Sequence, residues 1–436
     1  MIKSSINLRS ISPDKKEKIV SKIYLVDVTN RDGVQTAKLG LSKLEKTMIN
    51  LFLDQMGIFQ SEFGFPTTRH EANYLNANLE LVEMGVIDSL RLEGWIRAIV
   101  ADVELAFARI PKIKHLNLSI STSDQMINGK FQGRKNRQDI INDMTAAVDA
   151  AWAKGAESVG VNAEDASRTE LDYLIEFGLA AKEHGATRIR YCDTLGYDNP
   201  FSIYDTTHAM AKEIGLPIEL HCHGDLGMAV ANSIAGAKGV IDGGQDAYIN
   251  TTVNGIGERA GNADLVATIL AITKSKGFGE KYTLGGEVDL SMAYKISKFA
   301  SYAFGVPIPI NQPGVGANAF AHESGIHADG VLKDPENYEL YGFEELGRRQ
   351  WEIVETGREI CAGEYSGVSG FTYVMSKVAV GKTFESREEA NRILELARYA
   401  NVLSHKPLTE YELRFIADYP DIAKQLLTNV PLADED

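Results

Sequence analysis

The chain has 436 residues, 44% of them hydrophobic and 24% charged, so it can bury a large core and is predicted to form one large domain with a smaller one. A formal net charge of −15 argues against a nucleic-acid-binding surface, because binding to phosphates needs a basic face. Three scattered cysteines, Cys192, Cys222 and Cys361, exclude a disulfide framework and a CxxC zinc site. Because the sequence also has no signal-like or membrane-spanning apolar segment, it predicts a reduced, cytoplasmic protein without a membrane partner.

Short apolar runs alternate with longer segments of helical period from residue 23 to residue 276. The runs predict eight strands, at residues 23–28, 58–63, 89–93, 115–121, 158–162, 187–192, 218–222 and 247–253. A helix is predicted after each strand: the first begins at Ser42, the second ends near residue 84, and the others span 95–110, 137–154, 170–184, 201–214, 230–240 and 264–274. Ser42 and Glu45 have the spacing of a capping box, which marks the start of the first helix.

Eight strands in sequence, each followed by a helix, are typical of the (β/α)8 TIM barrel, an α/β fold that closes on itself. An open doubly wound sheet is the alternative, but no GxGxxG motif follows the first strand. We therefore predict an N-terminal arm over residues 1–20, a catalytic TIM barrel over 21–280, and a C-terminal linker with a mainly helical subdomain over 281–436. The helices of that subdomain are expected within residues 386–427.

In a TIM barrel, the residues that directly follow the strands gather on one face of the molecule. Polar side chains are frequent at these positions: Arg31, Asp32, Gln35, Glu62, Glu93, Arg97, Ser121, Ser123, Glu164, Asp165, Asp193, Thr194, His221, His223, Asp225, Asn254, Glu258 and Arg259. Taken singly, each acid or arginine is explained equally well by a helix cap or a structural ion pair. The prediction of an active site on this face therefore depends on their convergence.

The motif HCHGD predicts half of a metal site, because His221 and His223 alternate along one strand and share a face while Cys222 points away. Asp32, which follows the first strand, can supply a carboxylate. Two histidines and one carboxylate with open positions suit Mn²⁺, Mg²⁺, Zn²⁺ or Fe²⁺ acting as a Lewis acid. The adjacent Arg31 suits an oxyanion or a carboxylate.

Three long motifs, VDVTNRDGVQ, HCHGDLGMAVANS and TTVNGIGERAGNA, resemble in content and order the isopropylmalate synthase and homocitrate synthase family. EFGFP, NAEDASRTELDYL, CDTLGYDNP and AFAHESGIHADGVLK extend the resemblance over most of the chain. The members of this family are metal-dependent TIM barrels that condense acetyl-CoA with 2-oxo acids. The resemblance therefore implies acyl transfer, a divalent metal, with Mn²⁺ or Mg²⁺ ahead of Zn²⁺ or Fe²⁺, and acetyl-CoA as co-substrate.

The resemblance also implies roles for individual residues. The metal ligands fall on Asp32, His221 and His223, with Asn262 near the metal, and the catalytic arginine falls on Arg31. Glu164 matches a catalytic glutamate and Thr194 a threonine that holds the substrate's C1 carboxylate. His327 and Tyr338 match residues that reach over the active site of a partner subunit, which implies a homodimer, whereas a buried linker histidine is the structural alternative for His327. Glu164, His327 and Tyr338 are all candidates for the general base.

The identity of the 2-oxo acid depends on where the chain departs from its family. Homocitrate synthases place an arginine for the distal carboxylate of 2-oxoglutarate at the position of Gly160, and NRDGVQ differs from the usual LRDGEQ. The helical segment after VSGF stands where long isopropylmalate synthases carry a leucine-sensing domain, which argues against leucine feedback. TNRDGVQTA and DTLGYDNP look most like the family's Re-specific citrate synthases, so the prediction is oxaloacetate as substrate and citrate as product.

Further side chains are predicted to bind this substrate. Gln35 and Glu62 lie on the expected rim, and Arg97 or Arg190 could serve as a free cation for a short dicarboxylate beside Asn30. A barrel-wall ion pair is the alternative for Arg190.

Three other activities stay open at this point. Homocitrate synthase comes first, followed by 2-isopropylmalate or citramalate synthase. A metal-dependent acyl-CoA lyase or aldolase is the rival class, although GIGERAGN lacks the cysteine that such lyases carry after the eighth strand. A barrel that only binds would be expected to lose one of Arg31, Asp32, His221 or His223, and all four are present.

Overall fold

The structure is a computed structural model that describes residues 22–279, 281–348, 371–372, 374–376, 384, 386–406 and 408–428. The predicted N-terminal arm, Cys361 and most of the VSGF segment lie outside the described residues.

Eight parallel strands form a closed barrel. They are β1 (Lys22–Asp27), β2 (Gln60–Gly64), β3 (Arg91–Arg97), β4 (His115–Ser121), β5 (Ser158–Glu164), β6 (Arg188–Asp193), β7 (Ile218–Cys222) and β8 (Ala247–Thr251). Each strand pairs with the next, and β1 pairs with both β2 and β8, which closes the sheet. A two-residue strand, β9 (Thr283–Leu284), also runs parallel to β1. The predicted TIM barrel is confirmed.

Helices follow the strands as the sequence predicts. They are α1 (Lys43–Met56), α2 (Ala72–Glu83), α3 (Val100–Arg109), α4 (Asp124–Phe131), α5 (Arg137–Ala153), α6 (Leu171–Glu183), α7 (Pro200–Ile214), α8 (Ala229–Asp242) and α9 (Leu265–Lys274). The predicted capping box is confirmed, because the Ser42 hydroxyl accepts from the Glu45 amide at 3.2 Å and the Glu45 carboxylate accepts from the Ser42 amide at 2.6 Å.

Two local expectations were wrong. The third strand continues to Arg97 instead of ending at residue 93, because Trp95 pairs with Asn117 and Arg97 with Ser119 in the sheet. The predicted helix beginning at residue 95 therefore begins at Val100. Helix α4 was not predicted, since it is only eight residues long and mostly polar, and the Ser123 hydroxyl caps it by accepting from the Met126 amide.

The region after the barrel is mainly helical, as predicted. Among the described residues, its helices include α10 (Ala293–Phe304), α11 (Gly325–Lys333), α12 (Arg387–Ser404), α13 (Glu410–Asp418) and α14 (Pro420–Leu427). The last three pack on the outside of α1 and α2: Tyr411 meets Phe52 edge to face at 5.2 Å, and Gln425 donates to Glu80 at 2.9 Å. None of the helices in the described ranges combines the length and the apolar composition needed to cross a membrane.

Glu412 is a buried acid at this helical interface, and it predicts a pH dependence of stability. Its carboxylate accepts from the amide and the hydroxyl of Thr409, both at 2.7 Å, and burial raises its pKa to about 7. An acid whose pKa is higher in the folded than in the unfolded state destabilises the fold as pH rises from about 4.3 to that value. Glutamine keeps the cap without the charge. We therefore expect Glu412→Gln to raise stability above pH 7, by on the order of 2 kcal/mol, and to change little at pH 4.

Thermal unfolding at pH 4, 6 and 8 measures this difference. Glu410→Gln, at an exposed position in the same helical turn, is the matched control and should show no such trend. An equal effect of Glu412→Gln at all three pH values would contradict the expectation.

Candidate active site

Asp32, His221 and His223 come together at the carboxyl end of the barrel. The Asp32 amide donates to the Val28 carbonyl at 2.7 Å, which turns the chain tightly after β1, while His221 lies on β7 and His223 follows it. One ligand atom from each of the three side chains lies within 4.8 Å of the other two, and all three residues are buried. The Nε2 atom of His223 is 3.9 Å from Asp32 Oδ2. This cluster has the donor set and the spacing that a divalent cation needs.

The protonation states of the cluster also favour a cation. Burial alone would raise the pKa of Asp32, but Arg31, His221, His223 and Asn262 together outweigh burial and lower the value to about 2. Burial lowers the pKa of both His221 and His223, so the imidazoles are neutral near pH 7 and offer lone pairs. His223 Nδ1 and Asp32 Oδ2 are buried without a hydrogen-bond partner in the described part of the chain. An ionised Asp32 and neutral His221 and His223 side chains are suited to bind a divalent metal.

Asn250 and Glu219 orient His221 from behind. His221 Nδ1 lies 3.0 Å from Asn250 Oδ1, and the Asn250 amide nitrogen donates to Glu219 at 2.5 Å. Because the Asn250 oxygen can only accept, His221 Nδ1 carries the proton and Nε2 is left with its lone pair. A histidine ligand held by a second hydrogen bond in this way is typical of protein metal sites.

Ion pairs continue from Glu219 through the barrel interior to Asp32. Arg190, whose side chain is fully buried, binds Glu219 at 2.6 Å and Glu62 at 2.8 Å. Glu62 also accepts from Arg31, which in turn binds Asp32 at 2.6 Å. At one end of this network Arg31 binds Asp32, and at the other end Glu219 binds Asn250, which contacts His221. One network therefore positions two of the three predicted metal ligands.

Arg97 and Arg190 are not free cations, so that expectation was wrong. Arg97 pairs with Asp102 on α3 at 2.8 Å, and 68% of its side chain is exposed. Arg190 is the barrel-wall ion pair that was the alternative reading of the sequence. Glu93 lies in the middle of β3 instead of on the rim, because the strand is longer than predicted, and it binds Arg188 at 2.6 Å.

Gly160 lies inside the barrel beside these charges. A Cβ atom at this position would lie 2.9 Å from Asn117 Nδ2 and 3.6 Å from Arg188 Nε. The Arg188 guanidinium, which binds both Glu93 and Glu219, thus lies against the position at which homocitrate synthases carry an arginine. Only a residue without a side chain leaves this space free.

Glu164 and Thr194 lie on the same face of the barrel. The Glu164 carboxylate accepts from Ser121 at 2.5 Å and from Lys130 at 2.6 Å. The Thr194 hydroxyl accepts from the Asp165 amide at 2.9 Å, so its proton is available to another acceptor. A cavity of about 310 Å³ opens beside Glu164. Its walls include Trp95, Arg97, Ser119, Ser121 and Lys130.

Asn262 is placed next to His223 by an antiparallel bridge. Gly257 makes this arrangement possible, since a Cβ atom there would lie 1.7 Å from Asn262 Oδ1 and 3.3 Å from Asp32 Oδ2. Both polar atoms of the Asn262 side chain are buried and lack partners within the described ranges. Asn262 thus adds a fourth polar side chain beside the cluster.

Three predicted site residues are exposed. Gln35 ends a short turn after β1 and faces solvent. His327 lies on α11 and Tyr338 after it, with their rings stacked at 4.1 Å between centroids, and Tyr338 is 41% exposed. The alternative of a buried linker histidine at position 327 is wrong.

Several residues of the site were missed in the sequence. Glu219 could have been found, because it alternates with His221 and His223 and so shares their inward face. The sequence did not indicate Asn250 or Lys130. Asn250 reaches the site through a contact between β8 and His221 on β7, and Lys130 lies on α4, which was not predicted. Trp95 was missed because it was assigned to a helix.

The Asn250 contact leads to a testable expectation. Asn250→Leu leaves the His221 Nδ1–H without its acceptor and should weaken metal binding roughly 10- to 100-fold. Titration with Mn²⁺, followed calorimetrically, measures the affinity, and activity should recover at saturating metal. Asn142→Leu, at an exposed position of α5, is the matched control. Unchanged affinity in Asn250→Leu would show that Asn250 does not hold the ligand.

Comparisons with known proteins support the family resemblance that the sequence motifs indicate. The family model described as HMGL-like matches residues 22–300, and one described as homocitrate synthase post-HMGL domain-like matches residues 315–393. The chain is 73% identical to a citrate (Re)-synthase of Dehalococcoides mccartyi, over 95% of this chain and 100% of that protein. It is 38% identical to 2-isopropylmalate synthase 2 of Caldanaerobacter subterraneus subsp. tengcongensis (94% and 97% covered) and 33% identical to homocitrate synthase 1 of a Nostoc species (90% and 96% covered).

Among solved structures, a hydroxymethylglutaryl-CoA lyase from Pseudomonas aeruginosa matches with a TM-score of 0.54 at 16% identity, covering 66% of this chain and 95% of that one. At this identity the match shows a shared fold alone. The resemblance that the motifs indicated is confirmed by the sequence relatives: this chain belongs to the HMGL-like family, in its group of citrate, isopropylmalate and homocitrate synthases.

Proposed function

We propose that this acyltransferase condenses acetyl-CoA with oxaloacetate to give citrate and CoA, with the Re specificity of its relative. The observation that carries the proposal is the 73% identity to citrate (Re)-synthase over that protein's whole length, against 38% and 33% to the isopropylmalate and homocitrate synthases. The match of residues 315–393 to a synthase domain favours condensation over the cleavage reaction of a lyase.

Asp32, His221 and His223 would hold the divalent metal, for which Mn²⁺ or Mg²⁺ is our proposal. When bound, the metal supplies a Lewis acid that polarises the 2-oxo acid and makes its C2 carbon electrophilic. Support for these ligands comes from the mutual distances within 4.8 Å and from the neutral imidazoles.

Arg31 is suited to stabilise the negative charge that develops on the C2 oxygen. Its Nε and Nη1 are held by Glu62 and Asp32, so the guanidinium cannot rotate away. Its Nη2 is buried and has no partner among the residues that the structure describes. A donor fixed in advance costs no reorganisation when charge develops, which is how electrostatic stabilisation contributes most to rate.

Glu164 is a candidate base for removing a methyl proton from acetyl-CoA. Lys130 and Ser121 hold its carboxylate beside the cavity of about 310 Å³. The resulting enolate attacks C2, and water then cleaves the thioester. Thr194, whose hydroxyl proton is available, is proposed to bind the C1 carboxylate. His327 and Tyr338 remain alternatives for the base, supplied by a second subunit.

We infer a homodimer in which α11 and the residues after it cover the partner's site. Besides His327 and Tyr338, this segment exposes Ile326, Leu332 and Leu340, which are 72–87% exposed. The carboxyl face of the barrel exposes apolar side chains too, at Tyr197, Phe201 and Leu226. Exposed apolar side chains on both surfaces support their contact in a symmetric pair.

Mixing two inactive variants tests the shared site. His223→Ala and His327→Ala homodimers should each be inactive, whereas exchange of subunits creates heterodimers with one intact site and should recover about a quarter of the parent activity. Native mass spectrometry confirms the exchange when one of the two variants, which otherwise have equal masses, is labelled with ¹⁵N. Exchange without recovery would place His327 outside the partner's site.

The condensation is tested by thiol release from acetyl-CoA. The Mn²⁺-supplemented protein is offered oxaloacetate, 2-oxoglutarate, 2-oxoisovalerate and pyruvate separately, and the stereochemistry of labelled citrate is determined. We expect strong preference for oxaloacetate and addition to its Re face. Preference for 2-oxoglutarate would make the chain a homocitrate synthase, and no release with any acid would overturn the synthase proposal.

We further propose that the protein works in the cytoplasm, where its thiols stay reduced. Cys192 and Cys222 are both free and buried, and burial raises the pKa of both thiols. Free thiols of this kind are typical of compartments in which disulfides do not persist.

A further inference from the structure

Trp95 lies on the inner face of the barrel beside Arg31. It alternates along β3 with Glu93, whose carboxylate binds Arg188 inside the barrel, so both side chains point inward. The Arg31 guanidinium carbon lies 5.6 Å from the centre of the indole, and the Phe65 ring meets the indole edge to face at 5.7 Å. These two contacts fix the indole next to the proposed catalytic arginine.

The indole nitrogen of Trp95 is a donor without an acceptor. Its Nε1–H is buried and has no hydrogen-bond partner in the described ranges, and the same holds for Arg31 Nη2. Buried tryptophan N–H groups usually have a partner, because an unpaired buried donor has lost its hydrogen bonds to water. The two carboxylates that bind Arg31, those of Asp32 and Glu62, are held by its other nitrogens. Two unpaired donors on neighbouring side chains, one of them charged, suit an anionic oxygen of a ligand.

The cavity beside Trp95 offers no free cation for such a ligand. The positive side chains in its wall are each paired with a carboxylate: Arg97 with Asp102, Lys130 with Glu164, and Lys135 with Asp143. Trp95 itself forms the wall between this cavity and Arg31. With C2 near Arg31, the other end of a 2-oxo acid is within reach of the indole that Arg31 contacts.

We propose that Trp95 determines substrate specificity: its N–H binds the distal carboxylate of the 2-oxo acid, and its ring limits the substrate to a short dicarboxylate. This inference rests on the proposed function, since it takes oxaloacetate as the substrate. Oxaloacetate has one methylene group between C2 and the distal carboxylate, whereas 2-oxoglutarate has two. A rigid indole wall admits oxaloacetate and excludes the longer 2-oxoglutarate, and the indole N–H donates a hydrogen bond to the distal carboxylate.

Trp95→Phe removes the N–H and keeps an aromatic wall. We expect KM for oxaloacetate to rise roughly 10- to 100-fold, as for loss of a hydrogen bond to a charged group, with kcat within about threefold of the parent. Trp95→Leu also shortens the wall and should raise the ratio of kcat/KM for 2-oxoglutarate over oxaloacetate by at least about tenfold. Trp152→Phe is the control, because the Trp152 N–H donates to the Gly185 carbonyl at 3.1 Å, away from the site.

Fluorescence gives a second readout that does not depend on turnover. The chain has three tryptophans, Trp95, Trp152 and Trp351, so Trp152→Phe with Trp351→Phe leaves Trp95 as the only indole. Oxaloacetate should shift its emission in the presence of Mn²⁺, and pyruvate, which lacks the distal carboxylate, should not.

The outcomes separate this inference from the proposed function. A parent enzyme that prefers oxaloacetate, together with an unchanged KM in Trp95→Phe and an unchanged emission of Trp95, overturns the inference alone and means that bound water satisfies the N–H. A parent that prefers 2-oxoisovalerate overturns both the proposed function and the inference.

Discussion

Replacing His223 by alanine is expected to abolish stoichiometric binding of Mn²⁺ and to lower kcat/KM roughly a thousandfold or more. The variant leaves Asp32 and His221 as the only two of the three clustered ligands, and it removes the imidazole that lies 3.9 Å from Asp32. Calorimetric titration with Mn²⁺ and thiol release from acetyl-CoA measure the two effects. Both should fall together, because the proposed function places the metal that His223 would bind at the catalytic centre.

His184→Ala is the control for this experiment. His184 is paired with Asp149 on the outer helices at 2.9 Å, so its loss should change neither metal binding nor turnover. Full activity in His223→Ala would show that the cluster does not hold a catalytic metal, whatever the distances indicate.

Replacing Glu219 by glutamine is expected to destabilise the protein by about 3–5 kcal/mol, the usual cost of breaking a buried ion pair on one side. Glu219 is fully buried and accepts from Arg188, Arg190 and Asn250. Within the described ranges it is the only carboxylate that accepts hydrogen bonds from both arginines, since Glu93 accepts one from Arg188 alone. The neutral amide of glutamine does not compensate the positive charges of Arg188 and Arg190, which are both buried. The urea midpoint of unfolding measures the loss.

The same change predicts a pH dependence. Burial would raise the pKa of Glu219, but Arg188 and Arg190 outweigh burial and hold it well below its usual range. A carboxylate with a lowered pKa stabilises the fold above about pH 4.3 and loses that contribution as pH falls through its folded-state value. The gap between parent and Glu219→Gln should therefore be full at pH 7 and narrow below pH 4. Glu83→Gln, whose partner Lys112 is exposed, is the control that should leave the midpoint unchanged. A pH-independent gap would contradict the role assigned to the charge.

The sequence predicted the fold well because each barrel strand contains a short run of buried apolar residues and is followed by an amphipathic helix. β4 and β7 were predicted with the boundaries that the structure shows. β3 was predicted too short, since Trp95 and Ile96 satisfy both a strand pattern and a helical one, and only pairing with β4 decides between them. α4 offers too few apolar residues to show a period.

The site was predictable to the extent that topology alone brings residues together. Asp32 and His221 are almost 190 residues apart, yet a barrel must place both at the carboxyl end of neighbouring parts of the sheet. Which charges pair within the barrel does not follow from topology. Arg190 and Glu62 are separated by 128 positions, and nothing local distinguishes a paired arginine from a free one. The exposure of Gln35 likewise depends on a turn whose direction the sequence does not specify.

Gly160 and Arg188 constrain how this barrel could evolve. An arginine introduced at position 160 alone would collide with Asn117 and crowd Arg188, while removal of Arg188 alone would take the close cation from Glu93 and leave Glu219 with Arg190 alone. Each single step is destabilising, whereas the double change restores one interior cation on the neighbouring strand. The two positions should therefore show sign epistasis, and transfer of the cation from β6 to β5 should require both substitutions or a prior gain in stability.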